Sequence, residues 1–391
     1  MPIYKNNMKR IGFLVDSIFS YGGVQRVTAV IAKALSSDYH ITIITLDSPT
    51  KKDTSFYDLG ESDINYRFFN YPSVPLWKDF CCKVYSFLYR KILPQFYLTS
   101  NLYNHSSFPS ENRNALVSVL KKDNYDIIIG VHAPLAVRLS MCRAQLPNIK
   151  LIGWIHNSFE ALFGPDSLYI GPELRRNYEW QLQKLDKTVV LCQYDARQYS
   201  FPTIVIYNPL TLKPGNISEG KSNVFLAVGR FSPLHKGFDL LIEAFHLFSI
   251  NNKDWNIIIV GEGQEKESYL SLIQKYGLTN RIFIRPFTNN IQEYYSLASV
   301  YVLSSRWEGM PLVLMEAMSH GLPVISSDLP VCREVLGDFG LYFKNGDVNL
   351  LAKRLDDAIH LDWKLKSNQA IEIAGRYRLD KIKDQWIEVL E

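Results

Sequence analysis

The stretch IGFLVDSIFSYGGVQRVTAVIAKALSSDYHITIITL, residues 11–46, decides the fold class. Its apolar run at 11–16 predicts a buried strand, and a loop that contains Gly22 and Gly23 follows. The next segment carries apolar residues at helical spacing, namely Val27, Val30, Ile31, Ala34 and Leu35. A second apolar run at 40–46 predicts another strand. A strand, a helix and a strand in this order predict a βαβ unit, and therefore a parallel sheet.

The rest of the chain continues the same alternation in two series. Further buried strands are predicted at 125–132, 151–156 and 187–192, and then at 224–230, 255–261, 281–287, 300–305 and 322–327. A stretch rich in Pro, Gly, Asn and Ser at 206–223 separates the two series and predicts a linker. We therefore expect an α/β protein with two doubly wound, Rossmann-like domains that face each other across a cleft.

The length of the chain agrees with this division, because 391 residues exceed what one typical core accommodates. We assign residues 1–207 to an N-terminal domain and residues 208–375 to a C-terminal domain. Residues 376–391 predict a terminal helix that crosses back to the N-terminal domain. In open α/β sheets ligands bind at the carboxyl ends of the strands, so the loops at those ends are the candidate sites.

The composition and the charge distribution exclude several classes of protein. A hydrophobic fraction of 47% with 21% charged residues is typical of a well-packed globular protein. The formal charge is +6 over residues 1–200 and −2 over the remainder, an imbalance too modest to indicate a nucleic-acid partner. The five cysteines show no metal-ligand spacing, which favours reduced cytoplasmic thiols and no metal site. Asp16 interrupts the first apolar run, so we expect a strand there and not a signal peptide.

Two carboxylates stand in an otherwise apolar stretch, SRWEGMPLVLMEAMSHG at 305–321. Pro311 predicts the first residue of a helix, and Gly321 predicts its left-handed C-cap. Within that helix Glu316 has apolar neighbours on most sides, and a buried carboxylate is costly unless it meets a partner. Glu316 is therefore either satisfied by the protein itself or accepts hydrogen bonds from the hydroxyls of a ligand, with Glu308 in the loop before it.

Three loops at strand ends are suited to anions. The first, GRFSPLHKGF at 229–238, places Arg230 and Lys236 just before a helix, where amide dipoles add to the formal charges and favour a diphosphate. EGMPL at 308–312 supplies a second helix start, at which Gly309 lets the backbone approach a phosphate closely. YGGVQRV at 21–27 supplies a third. The alternative for the first loop is a pair of solvated surface charges.

The segments GRFSPLHKG and EGMPLVLMEA together resemble the signature of the retaining glycosyltransferases of family 4, which have the GT-B architecture. Glu308 and Glu316 match the E-x7-E motif of that family. The resemblance extends over nearly the whole chain, from GGVQRV near the start to the terminal helix that ends in DQWIEVLE. The motifs of the second domain are specific, and those of the first domain are looser.

The resemblance implies a nucleotide-sugar donor bound mainly by the second domain and an acceptor bound mainly by the first. By motif match Arg230 and Lys236 hold the diphosphate, Glu316 accepts the ribose hydroxyls, and Glu308 contacts the transferred sugar. His156 matches a histidine that in relatives reaches the donor sugar, although a histidine at a strand end is also common as a structural residue.

Three sets of residues follow from the resemblance. The catalytic set is Glu308, Arg230, Lys236 and His156. The donor-binding set is Gly23, Arg230, Lys236, Phe287, Glu308, Gly309, Met310, Pro311, Leu312 and Glu316, with Phe287 assigned to the nucleobase by position only. The acceptor-side set is Gly22, Gly23, Gln25 and His156. We expect no cofactor, and no metal either, because the sequence carries no signal for one and the cationic pair makes it unnecessary. Family frequency favours UDP as the nucleotide.

The function that the resemblance implies is transfer of a hexosyl or N-acetylhexosaminyl group to a glycan or lipid-linked saccharide in bacterial surface polysaccharide synthesis. Three alternatives share part of the pattern. A glycoside hydrolase uses two carboxylates but needs no cationic phosphate loop. A GT-B-like UDP-sugar epimerase and a non-catalytic protein that binds sugar nucleotides would bind the same donor.

Residues 78–103 interleave basic residues with large aromatic ones. This pattern is typical of a surface that rests in an anionic membrane interface. The alternative is a helical insert whose aromatic side chains pack on the first domain. We expect a cytoplasmic protein that associates peripherally with the inner face of the plasma membrane through this segment.

Overall fold

The structure is a computed structural model that describes residues 8–165, 167, 169–212 and 215–391. Residues 1–7 of the basic start, and Lys213 and Pro214 of the predicted linker, lie outside the described residues. The chain divides into two compact units. The first comprises residues up to Tyr207 together with Ile382–Glu391, and the second comprises Asn208–Lys381.

The described residues of the first unit contain a seven-stranded sheet in the order β3-β2-β1-β4-β5-β6-β7, with every pair parallel. The strands are β1 (Arg10–Val15), β2 (His40–Thr45), β3 (Ile64–Phe68), β4 (Ile127–Val131), β5 (Lys150–Trp154), β6 (Lys187–Val190) and β7 (Ile204–Val205). In the register Ile11 lies opposite Ile41 on one side and Ile127 on the other. The chain order reverses between β1 and β4, and in such sheets ligands bind at this point.

Within the described part of the first unit, eight helices connect these strands: α1 (Gly23–Leu35), α2 (Leu76–Lys91), α3 (Tyr97–Ser107), α4 (Ser110–Lys122), α5 (Ala133–Met141), α6 (Phe159–Phe163), α7 (Arg175–Leu182) and α8 (Gln193–Ala196). The buried face of α1 consists of Val27, Thr28, Ala29, Ile31, Ala32 and Leu35. Its apolar spacing thus packs one side of the helix on the sheet, as expected for an amphipathic helix that covers a parallel sheet.

The described residues of the second unit repeat the design with a six-stranded sheet in the order β10-β9-β8-β11-β12-β13. Its strands are β8 (Val224–Val228), β9 (Asn256–Val260), β10 (Ile282–Arg285), β11 (Val300–Leu303), β12 (Val324–Ser327) and β13 (Leu341–Phe343). The helices are α9 (Phe238–Ser249), α10 (Lys266–Lys275), α11 (Ile291–Leu297), α12 (Leu312–Ser319), α13 (Pro330–Leu336), α14 (Val348–Ile359) and α15 (Trp363–Ala374). A last helix, α16 (Leu379–Leu390), begins in the second unit and ends in the first.

The predicted α/β class with two doubly wound, Rossmann-like domains is confirmed. Each strand predicted from an apolar run is present, including the first one, which had to be distinguished from a signal peptide. Three strands were not predicted, β3, β7 and β13. All three lie at a sheet edge and are short or partly exposed, so they carry no continuous apolar run.

One helix boundary differs from its prediction. The helix α12 begins at Leu312, and Pro311 is its N-cap with extended backbone (ψ 102°), not its first helical residue. The Leu314 N–H donates to the Pro311 carbonyl oxygen in a tight first turn, and this explains the shift by one position. The predicted left-handed C-cap is confirmed, because Gly321 has a φ of +77°.

The helix α16 is anchored in the first unit by a buried tryptophan and by lysines. The Trp386 ring is fully buried and meets the Trp154 ring edge to face, with the centroids 4.7 Å apart. The ammonium groups of Lys150 and Lys187 each donate to the Val389 carbonyl oxygen at 2.9 Å. Cations at a helix C-terminus satisfy its last carbonyls and oppose its dipole. Among the described residues, no helix is both long and apolar enough to cross a membrane.

We predict that Trp386→Ala destabilises the first unit, because removal of this buried ring leaves a large cavity against Trp154. The expected loss in the free energy of unfolding is about 3–5 kcal/mol. Urea unfolding of the whole chain measures it, and Glu388→Ala on the exposed side of the same helix is the matched control. An unfolding curve of Trp386→Ala that overlays those of the parent and the control would contradict this anchoring role.

Candidate active site

The first candidate loop of the second unit, residues 229–237, follows β8 and depends on two glycines. At Gly229 an added Cβ would lie 3.1 Å from three carbons of the Lys236 side chain, so the absence of a side chain lets the lysine stem cross over the backbone. Gly237 has a φ of +61°, and an added Cβ there would collide with the Ser304 carbonyl oxygen. Only glycine therefore permits both the turn and this close approach.

A second loop, residues 304–311, follows β11, the neighbour of β8 in the sheet. Arg306 joins it to α9 through two hydrogen bonds to the Asp239 carboxylate, at 3.0 and 2.6 Å. The His235 ring stacks on the Trp307 ring with an interplanar angle of 7° and centroids 4.8 Å apart. These contacts hold the two loops side by side at the carboxyl edge of the sheet.

Between the two loops lies a buried ion pair. The Lys236 ammonium donates to the Glu308 Oε1 at 2.7 Å, and the two side chains are only 15% and 8% exposed. Burial alone would raise the pKa of Glu308, but the charges of Lys236 and His235 outweigh it and hold the pKa below its ordinary value of 4.5. Glu308 is therefore ionised at neutral pH. Buried ion pairs seldom add net stability, so stability alone does not account for this one.

Arg230 lies in the same loop as Lys236 but is exposed. It follows β8 by two residues, and its neighbour Phe231 is fully buried and fixes that part of the loop. The two cations precede α9, a helix of 12 residues. The structure thus joins Lys236 to Glu308 and places Arg230 in the same loop as Lys236, before a helix start that suits an anion.

Glu316 is 2% exposed on α12, and the structure provides protein partners for both its oxygens. The Tyr295 hydroxyl donates to Oε2 at 2.9 Å, and the Thr211 hydroxyl donates to Oε1 at 3.4 Å. These contacts favour the alternative in which the protein satisfies the carboxylate. A carboxylate can accept several hydrogen bonds at once, so contacts within the protein do not by themselves exclude a ligand hydroxyl.

Tyr295 and Thr211 were not predicted as site residues from the sequence. Tyr295 is fully buried on α11, and its ring stacks on that of His320 at 5.2 Å. The segment IQEYYSL contains two adjacent tyrosines, and only the inward-facing one contacts Glu316. Thr211 lies in the stretch that was interpreted as a linker. Nothing in either segment signals a contact with a residue more than 20 positions away.

The remaining predicted residues of the second unit also lie at strand ends. Met310, Pro311 and Leu312 are buried at the start of α12, and the Met310 sulfur accepts the Asn208 N–H at 3.0 Å. Gly309, which precedes them, is partly exposed. Phe287 follows β10 and is 48% exposed. Because β10 is separated from β8 by β9, Phe287 lies farther along the same edge.

In the first unit, Gly22, Gly23 and Gln25 lie at the start of α1. The Gly22 N–H donates to the Tyr57 hydroxyl at 2.9 Å, and that hydroxyl donates to the Ser20 carbonyl oxygen at 2.8 Å. An added Cβ at Gly22 would collide with the side-chain oxygen of Gln25. Tyr57 therefore fixes a loop whose glycine was predicted, although the tyrosine itself was not.

His156 follows β5 and is 6% exposed, and its Nε2 has no hydrogen-bond partner within the described part of the chain. Burial, with a smaller effect from His132, lowers the pKa of His156 well below its ordinary value, so the ring is neutral at neutral pH. The rings of His132 and His156 are 5.6 Å apart. His132 was missed, although the run YDIIIGVH ends in a histidine just as LIGWIH does.

No cluster of three or more His, Cys, Asp or Glu side chains that could hold a metal ion occurs among the residues that the structure describes. The carboxylates and histidines of the candidate site are instead engaged by an ammonium, hydroxyls and aromatic rings.

The low pKa of Glu308 predicts how stability depends on pH. A carboxyl group whose pKa is lower in the folded state than in the unfolded state stabilises the folded state. This stabilisation is complete at a pH above the ordinary pKa of 4.5, and it is lost as the pH falls through the folded-state pKa. We therefore expect the difference in free energy of unfolding between the parent and Glu308→Gln to be constant down to about pH 4.5 and to shrink below it.

Urea unfolding in a series of buffers measures this difference. Glu293→Gln, at an exposed position of the same unit, is the control and should show no such dependence. A difference that grows as the pH falls would mean that the pKa of Glu308 is raised, and would contradict the ion-pair assignment.

Two family models match the chain. "Glycosyltransferase Family 4" matches residues 21–212, and "Glycosyl transferases group 1" matches residues 211–377. Among curated proteins, an uncharacterized glycosyltransferase of Haemophilus influenzae is 28% identical over 98% of this chain and 100% of its own length. A 4-alpha-N-acetylgalactosaminyltransferase of Campylobacter jejuni is 24% identical over 96% of this chain and 97% of its own length. Its full name specifies a diphospho-undecaprenol-linked saccharide as the acceptor.

Solved structures show the same fold. TarM of S. aureus superposes with a TM-score of 0.74 at 15% identity, and each chain is 99% covered. HepE of Anabaena, solved in complex with UDP, gives a TM-score of 0.74 at 19% identity over 98% of this chain and 99% of its own. The two matched segments together span nearly the whole chain. They meet at residues 211–212, close to the boundary between the two units at Tyr207 and Asn208. The chain therefore belongs to the glycosyltransferases of family 4 and has the GT-B architecture.

Proposed function

We propose that this glycosyltransferase moves a hexosyl or N-acetylhexosaminyl group from a UDP-sugar to a saccharide acceptor, with retention of configuration at the anomeric carbon. The observation that carries the proposal is the buried Lys236–Glu308 pair, with the exposed Arg230 in the same loop as Lys236. Two cations and a carboxylate at one helix start match the two parts of a sugar nucleotide, since its diphosphate is anionic and its sugar is rich in hydroxyl donors.

The reaction breaks the bond between the anomeric carbon and a phosphate oxygen, and it forms a bond from the same carbon to an acceptor oxygen. Negative charge develops on the departing diphosphate, and Arg230, Lys236 and the first amides of α9 stabilise it. The acceptor hydroxyl loses its proton as it attacks, and the departing phosphate oxygen on the same face takes that proton. No protein base and no cofactor or metal is required in this scheme.

The carboxylates have separate roles under this proposal. Glu308 is ionised beside Lys236, so its second oxygen accepts hydrogen bonds from hydroxyls of the transferred sugar. When the diphosphate binds, Lys236 is shared between Glu308 and a phosphate oxygen, which couples recognition of the sugar to recognition of the leaving group. Glu316, which Tyr295 holds at 2.9 Å, accepts the vicinal hydroxyls of the ribose.

The relatives support UDP and a lipid-linked acceptor. HepE was solved with UDP, and the Campylobacter jejuni relative carries the undecaprenol diphosphate of its acceptor in its name. The amylovoran biosynthesis glycosyltransferase AmsD of Erwinia amylovora is 30% identical over 52% of this chain and 62% of its own length. We therefore propose that the acceptor is a lipid-linked saccharide in the synthesis of a bacterial surface polysaccharide, at the cytoplasmic face of the membrane.

The decisive experiment is a thermal-shift panel of UDP-, GDP- and ADP-sugars, followed by product analysis with the stabilising donor. Stabilisation by a UDP-sugar, release of UDP only when an acceptor is present, and an NMR coupling constant that reports retention support the proposal. Release of free sugar into water without an acceptor would instead indicate a hydrolase, and an inverted product would overturn the mechanism.

We predict that Arg230→Ala lowers kcat/KM by roughly 10- to 150-fold, which corresponds to the loss of one charge-assisted hydrogen bond of about 1.5–3 kcal/mol. Because Arg230 is exposed, the variant should unfold at the same temperature as the parent. Arg376→Ala, an exposed arginine of the same unit, is the matched control. Parental turnover by Arg230→Ala would remove the assignment to the diphosphate.

Lys236 needs a different design, because Lys236→Ala leaves the Glu308 carboxylate buried and unpaired at a cost of about 3–5 kcal/mol. The double variant Lys236→Met with Glu308→Gln removes both charges and separates stability from donor binding. If the double variant folds as well as the parent but no longer binds UDP, the ammonium acts on the ligand.

We predict that Glu316→Gln and Tyr295→Phe both weaken the binding of free UDP, whereas Glu308→Gln lowers kcat more than it lowers UDP affinity. Loss of the Tyr295 hydroxyl removes one neutral hydrogen bond to Glu316, so we expect a reduction of about two- to tenfold. Calorimetric titration with UDP measures it, and Tyr301→Phe, at the adjacent and equally buried tyrosine, is the control. Equal UDP affinity in the parent and Glu316→Gln would exclude the ribose role.

A further inference from the structure

The helices α2 and α3 form a hairpin, residues 76–107, which we call the α2–α3 hairpin. Its inner side is packed. The Tyr89 hydroxyl lies 2.6 Å from that of Ser100, and the Tyr89 ring stacks on Tyr103 with the centroids 4.5 Å apart. The Tyr85 hydroxyl donates to the Thr99 carbonyl oxygen at 3.1 Å. The two helices are therefore held together by well-defined contacts.

The outer side of the hairpin is unusually apolar. Of the 21 exposed large apolar side chains among the described residues, 10 lie between Leu76 and Leu102, in a small fraction of the chain. They are Leu76, Trp77, Phe80, Val84, Phe87, Ile92, Phe96, Tyr97, Leu98 and Leu102. Trp77 is 71% exposed and Phe80 is 68% exposed, so these rings do not pack on the first unit. An exposed apolar concentration of this kind marks an interaction surface.

On α2 these residues form one stripe. Trp77, Phe80, Val84 and Phe87 recur at spacings of three and four, which places them on a single helix face. The opposite face carries Tyr85 and the buried Tyr89. The sequence left open that the aromatic side chains of this segment pack on the first domain. That interpretation holds for the tyrosines of the inner face, but not for Trp77 and the phenylalanines.

Cations lie beside the apolar stripe. The hairpin has a formal charge of +3, since Asp79 is its only carboxylate. A groove of about 640 Å³ runs along α2 and is lined by Lys83, Phe87, Arg90, Lys91, Ser106 and Asn112, among others. Lys83 is paired with Asp79 at 2.6 Å, and Arg90 with Glu173 at 2.6 Å. Both pairs are at least partly exposed, and such pairs are weak enough to exchange for a phosphate.

We propose that the outer face of the α2–α3 hairpin docks on an anionic phospholipid bilayer, with the aromatic rings in the interfacial layer and the cations on lipid phosphates. Aromatic rings favour the boundary between head groups and acyl chains, and flanking lysines and arginines add attraction to anionic lipids. A second copy of this chain fits less well, because protein interfaces are depleted in lysine. The proposed lipid-linked acceptor would lie in the same membrane, but binding to vesicles needs neither donor nor acceptor.

The test is co-sedimentation of the full chain with vesicles of phosphatidylcholine alone or mixed with phosphatidylglycerol. We expect the parent to sediment with the anionic vesicles at low salt. The variant Trp77→Ser/Phe80→Ser/Phe87→Ser should lower the partition coefficient by about tenfold or more. Its matched control is Ile250→Ser/Leu270→Ser/Leu365→Ser, which removes three exposed apolar side chains of the second unit and should sediment like the parent.

A charge variant separates the two contributions. Lys83→Glu/Lys91→Glu should reduce binding to anionic vesicles, whereas Lys364→Glu/Lys381→Glu, at exposed lysines of the second unit, should not. Because the substituted side chains are exposed, all variants should keep the parental unfolding temperature and the parental UDP affinity.

Three outcomes would overturn the inference. The parent could fail to sediment with either vesicle, or the hairpin variants could sediment as well as their controls. The third is a dimer of the parent in sedimentation velocity without lipid, dissociated by the aromatic variant, which would assign the face to a second copy of the chain. If vesicle binding behaves as expected but no sugar nucleotide stabilises the protein, the proposed function fails and the docking surface stands.

Discussion

The second unit is organised around the need to neutralise one buried charge. Glu308 lies at a strand end where burial opposes ionisation, and it stays ionised because Lys236 lies 2.7 Å away. That contact requires the lysine stem to cross Gly229 and the backbone to turn at Gly237. It also requires the two loops to lie side by side, which the Arg306–Asp239 bonds and the stacked His235 and Trp307 rings provide. The loop geometry is thus a consequence of an electrostatic constraint.

Most of the fold could be predicted from the sequence, because central strands of a parallel sheet are buried on both faces and appear as continuous apolar runs. β1, β4 and β8 are of this kind, and nearly all of their residues are buried. The edge strands β3 and β13 have one neighbour and partly exposed residues, so their patterns resemble those of loops. The position of Pro311, one residue outside its helix, depended on a local hydrogen bond that has no sequence signature.

The candidate site was predictable where one short segment carries several charged residues and glycines, as around Arg230 and Lys236 or around Glu308 and Glu316. It was not predictable where a contact joins distant segments. Tyr295 reaches Glu316 from another helix, and Tyr57 reaches Gly22 across 35 positions. The exposure of Trp77 and Phe80 was likewise hidden, because an amphipathic helix has the same period whether its apolar face is covered or not.

The helix α16 also bears on how this protein is made. A ribosome delivers Trp154 early, but it delivers Trp386, the ring that covers it, only after the whole of Asn208–Lys381. At translation rates of about 5–20 residues per second, those intervening residues take roughly 10–35 s to synthesise. During that time strands β1 to β7 of the first unit have all been synthesised, but the ring that covers Trp154 has not. Synthesis of the second unit therefore precedes completion of the first, although the first begins the chain.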